Sequence, residues 1–228
     1  MDERTDRGFK DAVYEQLARL GKAIDSPKRL ELLDLLAQGE RTVETLARLA
    51  DLGLTNTSAH LQALARARLV ATRRQGTRVW YRLADDQVVR LLAELRRLAH
   101  ARLADLDQTV RGYLDAPGDP EPVTRAELAE RLARGEVVVL DVRPAAEYDA
   151  AHIPSARSLP LARLEAELDR LDLPRDREIV AYCRGPWCVY APRAVRLLRQ
   201  RGYAARRLED GLPEWRLAGL PTTATPAA

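Results

Sequence analysis

The only two cysteines of the 228-residue chain, Cys183 and Cys188, lie together in one short loop that also contains a glycine and a proline. A strand-like run at residues 178–182 precedes the loop, and a helical pattern follows from Val189. In such a turn, backbone N–H groups and the positive end of the helix dipole stabilise a thiolate. Two thiols five positions apart can also react with each other. The pattern therefore predicts a reactive-cysteine site.

Composition and apolar runs indicate where this chemistry takes place. Hydrophobic residues make up 46% of the chain and charged residues 31%, as in globular domains. No apolar run approaches the roughly 18 residues of a membrane span, and the first residues lack the apolar core of a signal peptide. We therefore expect a cytoplasmic protein with no membrane partner. In that compartment a structural disulfide is uncommon, and paired cysteines are more often catalytic, redox-active or metal-binding.

A linker is predicted between two domains. Residues 115–122 hold three prolines and one glycine, a composition that continues neither a helix nor a strand. The predicted boundaries are a first domain at residues 1–114, the linker at 115–122, a second domain at 123–220 and a flexible tail at 221–228.

The first domain is predicted to be mainly α-helical. Ser26 caps a helix that begins at Pro27, and Thr42 caps a shorter helix. A turn at residues 51–53 leads to a second helix at about 55–68. The later elements are strand-like pieces at 69–72 and 79–83 around a hairpin at 73–78, and a long last helix at Asp85–Tyr113. This order is typical of a winged helix-turn-helix.

The segment from Leu52 to Leu83 contains six arginines and no acidic residue, although the net charge of the whole chain is only +3. A segment with so many positive charges and no negative charge favours an anionic partner. The alternative is a solvated basic surface in a chain that uses arginine heavily.

The first domain resembles the ArsR-type regulators over roughly residues 15–112. The resemblance lies in residues 42–47, 58–64, 69–70 and 79–83. It implies a DNA-binding repressor that forms a homodimer through the Asp85–Tyr113 helix and binds a two-fold operator. The half contains no cysteine, and His60 and His100 are isolated, so no metal site is expected.

Candidate DNA contacts follow from the outward positions of the second helix and from the basic hairpin. Asn and Gln side chains suit adenine, and hairpin arginines suit phosphates or the minor groove. For His60, a structural or phosphate-contacting role is as well supported as base recognition. The candidates are Asn56, Ser58, His60, Gln62, Arg66, Arg73, Arg74 and Arg78.

From Val123 onwards helices and strands alternate, which predicts an α/β domain with a parallel sheet. Residues 141–148, 152–156, 182–185 and 211–215 carry a resemblance to a single rhodanese domain at about 122–220. Ala151 and Ser155 depart from it, since the family usually has glycine at both positions. The resemblance implies that Asp141, Arg143 and His152 support the structure.

The same resemblance implies sulfur transfer at Cys183. Its thiolate attacks the outer sulfur of a sulfane-sulfur donor such as thiosulfate or a persulfide, and a cysteine persulfide forms; no metal or organic cofactor is required. Arg184 attracts an anionic donor or stabilises the leaving sulfite. Related phosphatases have a loop one residue longer, so the six positions from Cys183 to Cys188 favour sulfur over phosphoryl transfer.

The remaining loop residues, Gly185, Pro186 and Trp187, are expected to form the active-site loop. Trp187 either shapes the rim of the pocket or simply packs. Cys188 either attacks the Cys183 persulfide as a resolving thiol or is a small residue filling the end of the loop.

The sequence therefore predicts a two-domain protein, a mainly α winged helix-turn-helix followed by an α/β rhodanese-like domain. The leading hypothesis is a DNA-binding repressor that couples reactive-sulfur sensing or sulfur transfer to transcription. One alternative is a sulfurtransferase with an autoregulatory DNA-binding module, and another is a thiol-based sensor of arsenic or oxidants.

Overall fold

The computed structural model describes residues 3–170 and 172–225. Its contacts divide the chain into two compact units, the first ending at Val88 and the second beginning at Val89. The second unit thus includes residues between Val89 and the proline-rich segment at 115–122, which the sequence assigned to the first domain; those predicted boundaries stay a prediction. No helix in the described ranges has both the length and the apolar character needed to cross a membrane.

The first unit is a winged helix-turn-helix. Its elements are α1 Glu3–Ile24, α2 Pro27–Ala37, β1 Arg41–Thr42, α3 Val43–Leu49, α4 Leu54–Arg66, β2 Val70–Gln75 and β3 Arg78–Leu83. The strands form an antiparallel sheet in the order β1-β3-β2. The predicted caps are confirmed, since Ser26 and Thr42 accept hydrogen bonds from the backbone N–H groups of Arg29 and Thr45. Leucines of α2, α3 and α4 fill the core (Leu32, Leu33, Leu46, Leu61 and Leu64).

Two features of this unit differ from the sequence prediction. The hairpin is tighter than the predicted segment at 73–78, because the strands pair as far as Gln75 and Arg78 and leave only Gly76 and Thr77 as the loop. Gly76 has a φ of +58°, which suits glycine in a two-residue hairpin loop. The sequence prediction omitted α1, although Phe9, Val13 and Leu17 recur at helical spacing; in the structure these side chains are exposed and contribute nothing to the core.

The prediction of one continuous helix at Asp85–Tyr113 is wrong. The structure has α5 at Asp86–Arg102 and α6 at Ala104–Leu114, and Leu103 between them has an extended backbone. Basic residues end α5, and the acidic Asp105 and Asp107 lie in the first turn of α6. Both placements complement the helix dipoles and therefore favour two helices over one.

The second unit contains the predicted parallel sheet, in the order β5-β4-β6-β7. Its further elements are α7 Arg125–Ala133, β4 Val137–Asp141, α8 Ala145–Ala150, β5 Arg157–Ser158, α9 Leu164–Glu167, β6 Glu178–Cys183, α10 Tyr190–Gln200, β7 Ala205–Gly211 and α11 Leu212–Leu217. Alternate residues of β4 and β6 face two separate apolar clusters, one containing α10 and the other containing α7 and α11. Because β6 lies between β4 and β7, Cys183 is placed at the carboxyl end of a central strand, where α/β sheets bind ligands.

Candidate functional site

The two cysteines lie at opposite ends of a closed loop between β6 and α10. Cys183 is the last residue of β6 and is only 1% exposed. The N–H of Cys188 donates to the carbonyl of Gly185 at 3.1 Å, which closes a turn whose second residue is Pro186. The fixed φ of proline suits that position. The Cα atoms of Cys183 and Cys188 are 6.3 Å apart, and their sulfur atoms are joined as a disulfide.

Arg184 is held by a carboxylate from α8. Its Nη2 lies 2.6 Å from Oε1 of Glu147, and its Nε lies 3.0 Å from Oε2. The Glu147 side chain is only 1% exposed, and the Arg184 guanidinium also lies 5.4 Å from the centre of the Tyr190 ring. The geometry makes Arg184 an anchor for the start of the loop. Its predicted action on an anionic donor stays a prediction.

The other side of the loop is formed by the end of β7 and by α11. Gly211 pairs with Cys183, and a Cβ atom at this position would overlap the backbone of Arg184 and Gly185. Only glycine therefore allows β7 to come so close. The buried Glu214 accepts a hydrogen bond from the N–H of Gly211 at 3.2 Å, and its carboxylate also lies beside Gly185.

Residues of α5 that belong to the second unit contact this same loop. Arg96 Nη1 lies 2.8 Å from Glu214 Oε1, and the Arg96 guanidinium lies 5.6 Å from the centre of the Trp187 indole. The ring of His100 lies 6.2 Å from that indole, with Trp187 Nε1 directed at His100 Nε2 over 3.5 Å. Trp187 is 38% exposed, so one part of the indole packs against α5 and the other part faces solvent.

Below the loop, a buried ion pair fixes the ends of β4 and β6. Asp141 and Arg143 are both fully buried, and Arg143 Nη2 donates to Asp141 Oδ2 at 2.5 Å. The hydroxyl of Tyr182 donates to the same carboxylate at 2.6 Å and accepts from the N–H of Ile153 at 3.1 Å. Burial and the charge of Asp141 raise the pKa of the Tyr182 hydroxyl far above its ordinary value. The group therefore stays neutral and has a structural role.

His152 is also structural in its contacts. Its ring stacks on Tyr148 with the centroids 3.7 Å apart, and Nδ1 lies 2.8 Å from the Tyr148 carbonyl. Ser155, one of the two departures from the rhodanese pattern, has a φ of +63°, a backbone conformation that glycine adopts more easily.

The helix α4, the second helix of the helix-turn-helix, presents its predicted face outwards and is called the recognition helix below. Thr57, Leu61 and Leu64 are buried. Of the predicted contact residues, Asn56, Gln62 and Arg66 are exposed, while Ser58 and His60 are half-buried. Their contacts with DNA stay predictions.

In the hairpin, Arg73, Arg74 and Arg78 are all exposed. Arg73 Nε lies 2.7 Å from Oε2 of Glu40, and its guanidinium lies 5.1 Å from the centre of the Trp80 ring. The hydrogen bond from Arg73 lowers the pKa of the Glu40 carboxyl. Arg73 is therefore fixed on the hairpin, whereas no ion pair of Arg74 or Arg78 occurs among the described residues.

The sequence did not identify Glu147, Gly211, Glu214 or Arg96 as site residues. The first three lie within the motifs that carry the rhodanese resemblance, so a signal was present. No sequence signal identifies Arg96, because α5 contains several arginines and the partner of Arg96, Glu214, is 118 positions away.

Two known families match the two parts of the chain. Residues 26–72 match the bacterial regulatory proteins of the arsR family, and residues 124–218 match the rhodanese-like domain. An HTH-type transcriptional regulator of Mycobacterium tuberculosis is 51% identical over 93% of this chain and 92% of its own length. A sulfurtransferase of Allochromatium vinosum is 35% identical over 42% of this chain and 89% of its own length.

Solved structures cover the first part of the chain as well. The solution NMR structure of a homodimeric winged helix-turn-helix DNA-binding domain, from a possible ArsR-family regulator of Mycobacterium bovis, is 48% identical. It covers 42% of this chain and 89% of that domain, with a TM-score of 0.40.

Proposed function

Because the chain belongs to the ArsR family of bacterial regulatory proteins and carries a rhodanese-like domain after its winged helix, we propose that it is a repressor controlled by reactive sulfur. In this proposal Cys183 takes up a sulfur atom as a persulfide, and Cys188 then attacks that persulfide to form a disulfide. Whether the two cysteines are thiols or a disulfide sets the affinity of the protein for operator DNA. The observation that carries it is the adjacency of the two sulfur atoms in the loop, since they are the only thiols of the chain.

The first proposed step is sulfur uptake by Cys183. Its thiolate attacks the outer sulfur of thiosulfate, the bond between the two donor sulfurs breaks, and sulfite leaves with the electron pair. The product is a Cys183 persulfide, and the total charge is unchanged. The loop favours the anionic forms of both sulfur atoms because it precedes the N-terminus of α10.

The second proposed step uses Cys188 as the resolving thiol. The outer sulfur of the Cys183 persulfide takes a proton from water; the Cys188 thiolate then attacks Sγ of Cys183, the persulfide bond breaks, and hydrosulfide leaves with the electron pair. The outer sulfur is reduced to sulfide while the two cysteines are oxidised to a disulfide. A cellular or added dithiol then reduces the disulfide and returns the loop to its starting state.

The DNA-binding half is proposed to act as a homodimer on a two-fold operator. Large apolar side chains of α1 are exposed, with Phe9 at 70% and Leu17 at 56%, and Leu98 on α5 is also exposed. Exposed apolar side chains repeated along a helix favour burial against a second copy. Arg74 and Arg78 of the hairpin are proposed to contact phosphates beside the recognition helix.

A gel-shift titration tests the proposed function. The DNA is a duplex selected from a random library by the dithiothreitol-reduced protein, and the added donor is inorganic polysulfide. We expect the wild type to lose at least about tenfold in operator affinity on treatment, which corresponds to about 1.4 kcal/mol. Cys183→Ser should bind the duplex like the reduced wild type and not respond. An equal response in both proteins would overturn sensing at Cys183.

A second candidate function is that the protein acts mainly as a sulfurtransferase, and that its DNA-binding half only determines where the enzyme is located. The similarity to a sulfurtransferase over the rhodanese-like domain favours it. Sulfur transfer from thiosulfate to cyanide distinguishes the two functions. Rapid turnover that is unchanged by saturating operator DNA would support the enzyme, whereas slow turnover with a polysulfide-dependent gel shift would support the sensor.

A further inference from the structure

We propose that Arg96 and His100 of α5 are positioning residues of the loop from Cys183 to Cys188, called the sulfur loop below. We propose further that they transmit to α5 whether the two cysteines are free thiols, a persulfide or a disulfide. The proposal rests on the function proposed above and names the element that couples the two activities. The contacts concerned lie within the second unit, on the outer side of the loop.

Trp187 connects the reacting sulfur to α5. It is the chain neighbour of Cys188, so any movement of Cys188 towards or away from Cys183 must change the backbone that carries the indole. The indole lies between the Arg96 guanidinium at 5.6 Å and the His100 ring at 6.2 Å. Breaking or forming the disulfide therefore alters what these two side chains contact.

Glu214 connects the other side of the loop to the same arginine. Its Oε1 pairs with Arg96 at 2.8 Å, and its Oε2 accepts from the N–H of Gly211 at 3.2 Å. Both partners of the Arg96–Glu214 pair are largely buried, so the loss of either partner leaves a charge in a poorly hydrated place. Arg96 thus holds both Trp187 and Glu214.

The helix α5 is continuous across the boundary between the two units. It begins at Asp86, before the boundary between the units, and ends at Arg102. A continuous helix moves largely as one body because each turn is hydrogen-bonded to the next. A displacement at Arg96 is therefore passed to residues that belong to the first unit, which is a physical basis for coupling between the sulfur loop and DNA binding.

The test compares Arg96→Met with Arg97→Met. The control residue is the next one on α5; Arg97 is largely exposed and pairs with Glu94, three positions away. The first measurement is the ratio of operator affinities between the diamide-oxidised and dithiothreitol-reduced full chain. We expect a ratio of about tenfold or more in the wild type and in Arg97→Met, and a ratio within about twofold of unity in Arg96→Met. An unchanged ratio in Arg96→Met overturns the coupling.

The second measurement tests positioning without DNA. The rate of alkylation by iodoacetamide is followed against pH in a Cys188→Ser background, where Cys183 is the only thiol. Arg96→Met should raise the midpoint by about half a pH unit, because the Glu214 carboxylate beside Gly185 would lose its counter-charge and disfavour the thiolate. Arg97→Met should leave it unchanged, and Arg96→Lys should restore most of the shift. Equal midpoints in Arg96→Met and Arg97→Met would refute the positioning role.

The two measurements separate this inference from the proposed function. If the wild type shows no difference between its oxidised and reduced affinities but Arg96→Met shifts the alkylation midpoint, the proposed sensing fails together with the coupling, and the positioning role stands. If the wild type responds and Arg96→Met responds equally, sensing stands and α5 is not its route.

Discussion

At the scale of single residues, the loop between Cys183 and Cys188 depends on residues outside it for its shape. Glu147 anchors Arg184, and Glu214 binds the backbone beside Gly185. Gly211 contributes by having no side chain, because any Cβ would overlap the loop backbone. The loop is therefore fixed from both sides, which would favour the anion binding proposed for it.

Replacement of Gly211 by alanine should destabilise the protein and disorder the loop. We expect a loss of about 2 kcal/mol in the free energy of unfolding, because the new methyl group meets backbone that cannot rotate away. Chemical denaturation measures it. Gly112→Ala is the matched control, since its Cβ meets open space within α6 and alanine favours helices. A loss no larger than in this control would contradict the close approach.

Replacement of Glu147 by glutamine should affect both the fold and the chemistry. The Arg184 guanidinium would lose its buried counter-charge, with an expected loss of about 2 kcal/mol in the free energy of unfolding. Persulfide formation at Cys183, followed by mass spectrometry of the loop peptide after thiosulfate treatment, should slow at least about fivefold because the loop is less ordered. If Glu147→Gln forms the persulfide at the wild-type rate and keeps the wild-type free energy of unfolding, then Arg184 does not need Glu147 as an anchor.

At the scale of elements, local patterns predicted what local forces determine. The caps at Ser26 and Thr42 and the strand–loop–helix order around Cys183 all follow from short-range rules. The break at Leu103 was missed because the apolar period continues through it, although the charges at the two helix ends favour it. The partners of Arg96 and Arg184 could not be predicted, because many charged residues compete for them and only the fold brings the pairs together.

An ion-pair network joins β6 and the edge strand β7 to α7 and gives the second unit a pH dependence. Burial disfavours the Glu178 carboxylate, but hydrogen bonds from Arg206 and Arg131 outweigh it and lower its pKa below the ordinary 4.5. Since the folded pKa is the lower one, the network stabilises the fold above the unfolded pKa. That contribution is lost as the pH falls through the folded pKa.

Glu178→Gln should therefore weaken the pH dependence of unfolding. The free energy of unfolding of the wild type should fall more steeply than that of the variant between about pH 5 and about pH 3. At neutral pH the variant should be less stable by about 1 kcal/mol. Glu130→Gln, which alters an exposed pair with Arg134, should follow the wild type. Parallel curves for the wild type and Glu178→Gln would exclude the network as the source.

At the scale of the whole molecule, the exposed apolar side chains of α1 are expected to pack against a second copy of the chain. Leu17→Glu should shift the protein from dimer to monomer in sedimentation velocity, because a charge would be buried at the proposed interface. Gln16→Glu, on the adjacent exposed position of the same helix, should stay dimeric. A dimer that survives Leu17→Glu would place the interface elsewhere.

The contacts of α5 with the sulfur loop also bear on how such a protein is assembled from genes. A recombination that joined a new winged helix at the proline-rich segment 115–122 would bring its own last helices and leave Trp187 and Glu214 facing foreign side chains. A graft that carries residues 89–122 along with the rhodanese-like domain would preserve these contacts. The heritable module is therefore longer than the rhodanese-like domain, and engineered chimaeras should be cut before α5 rather than after α6.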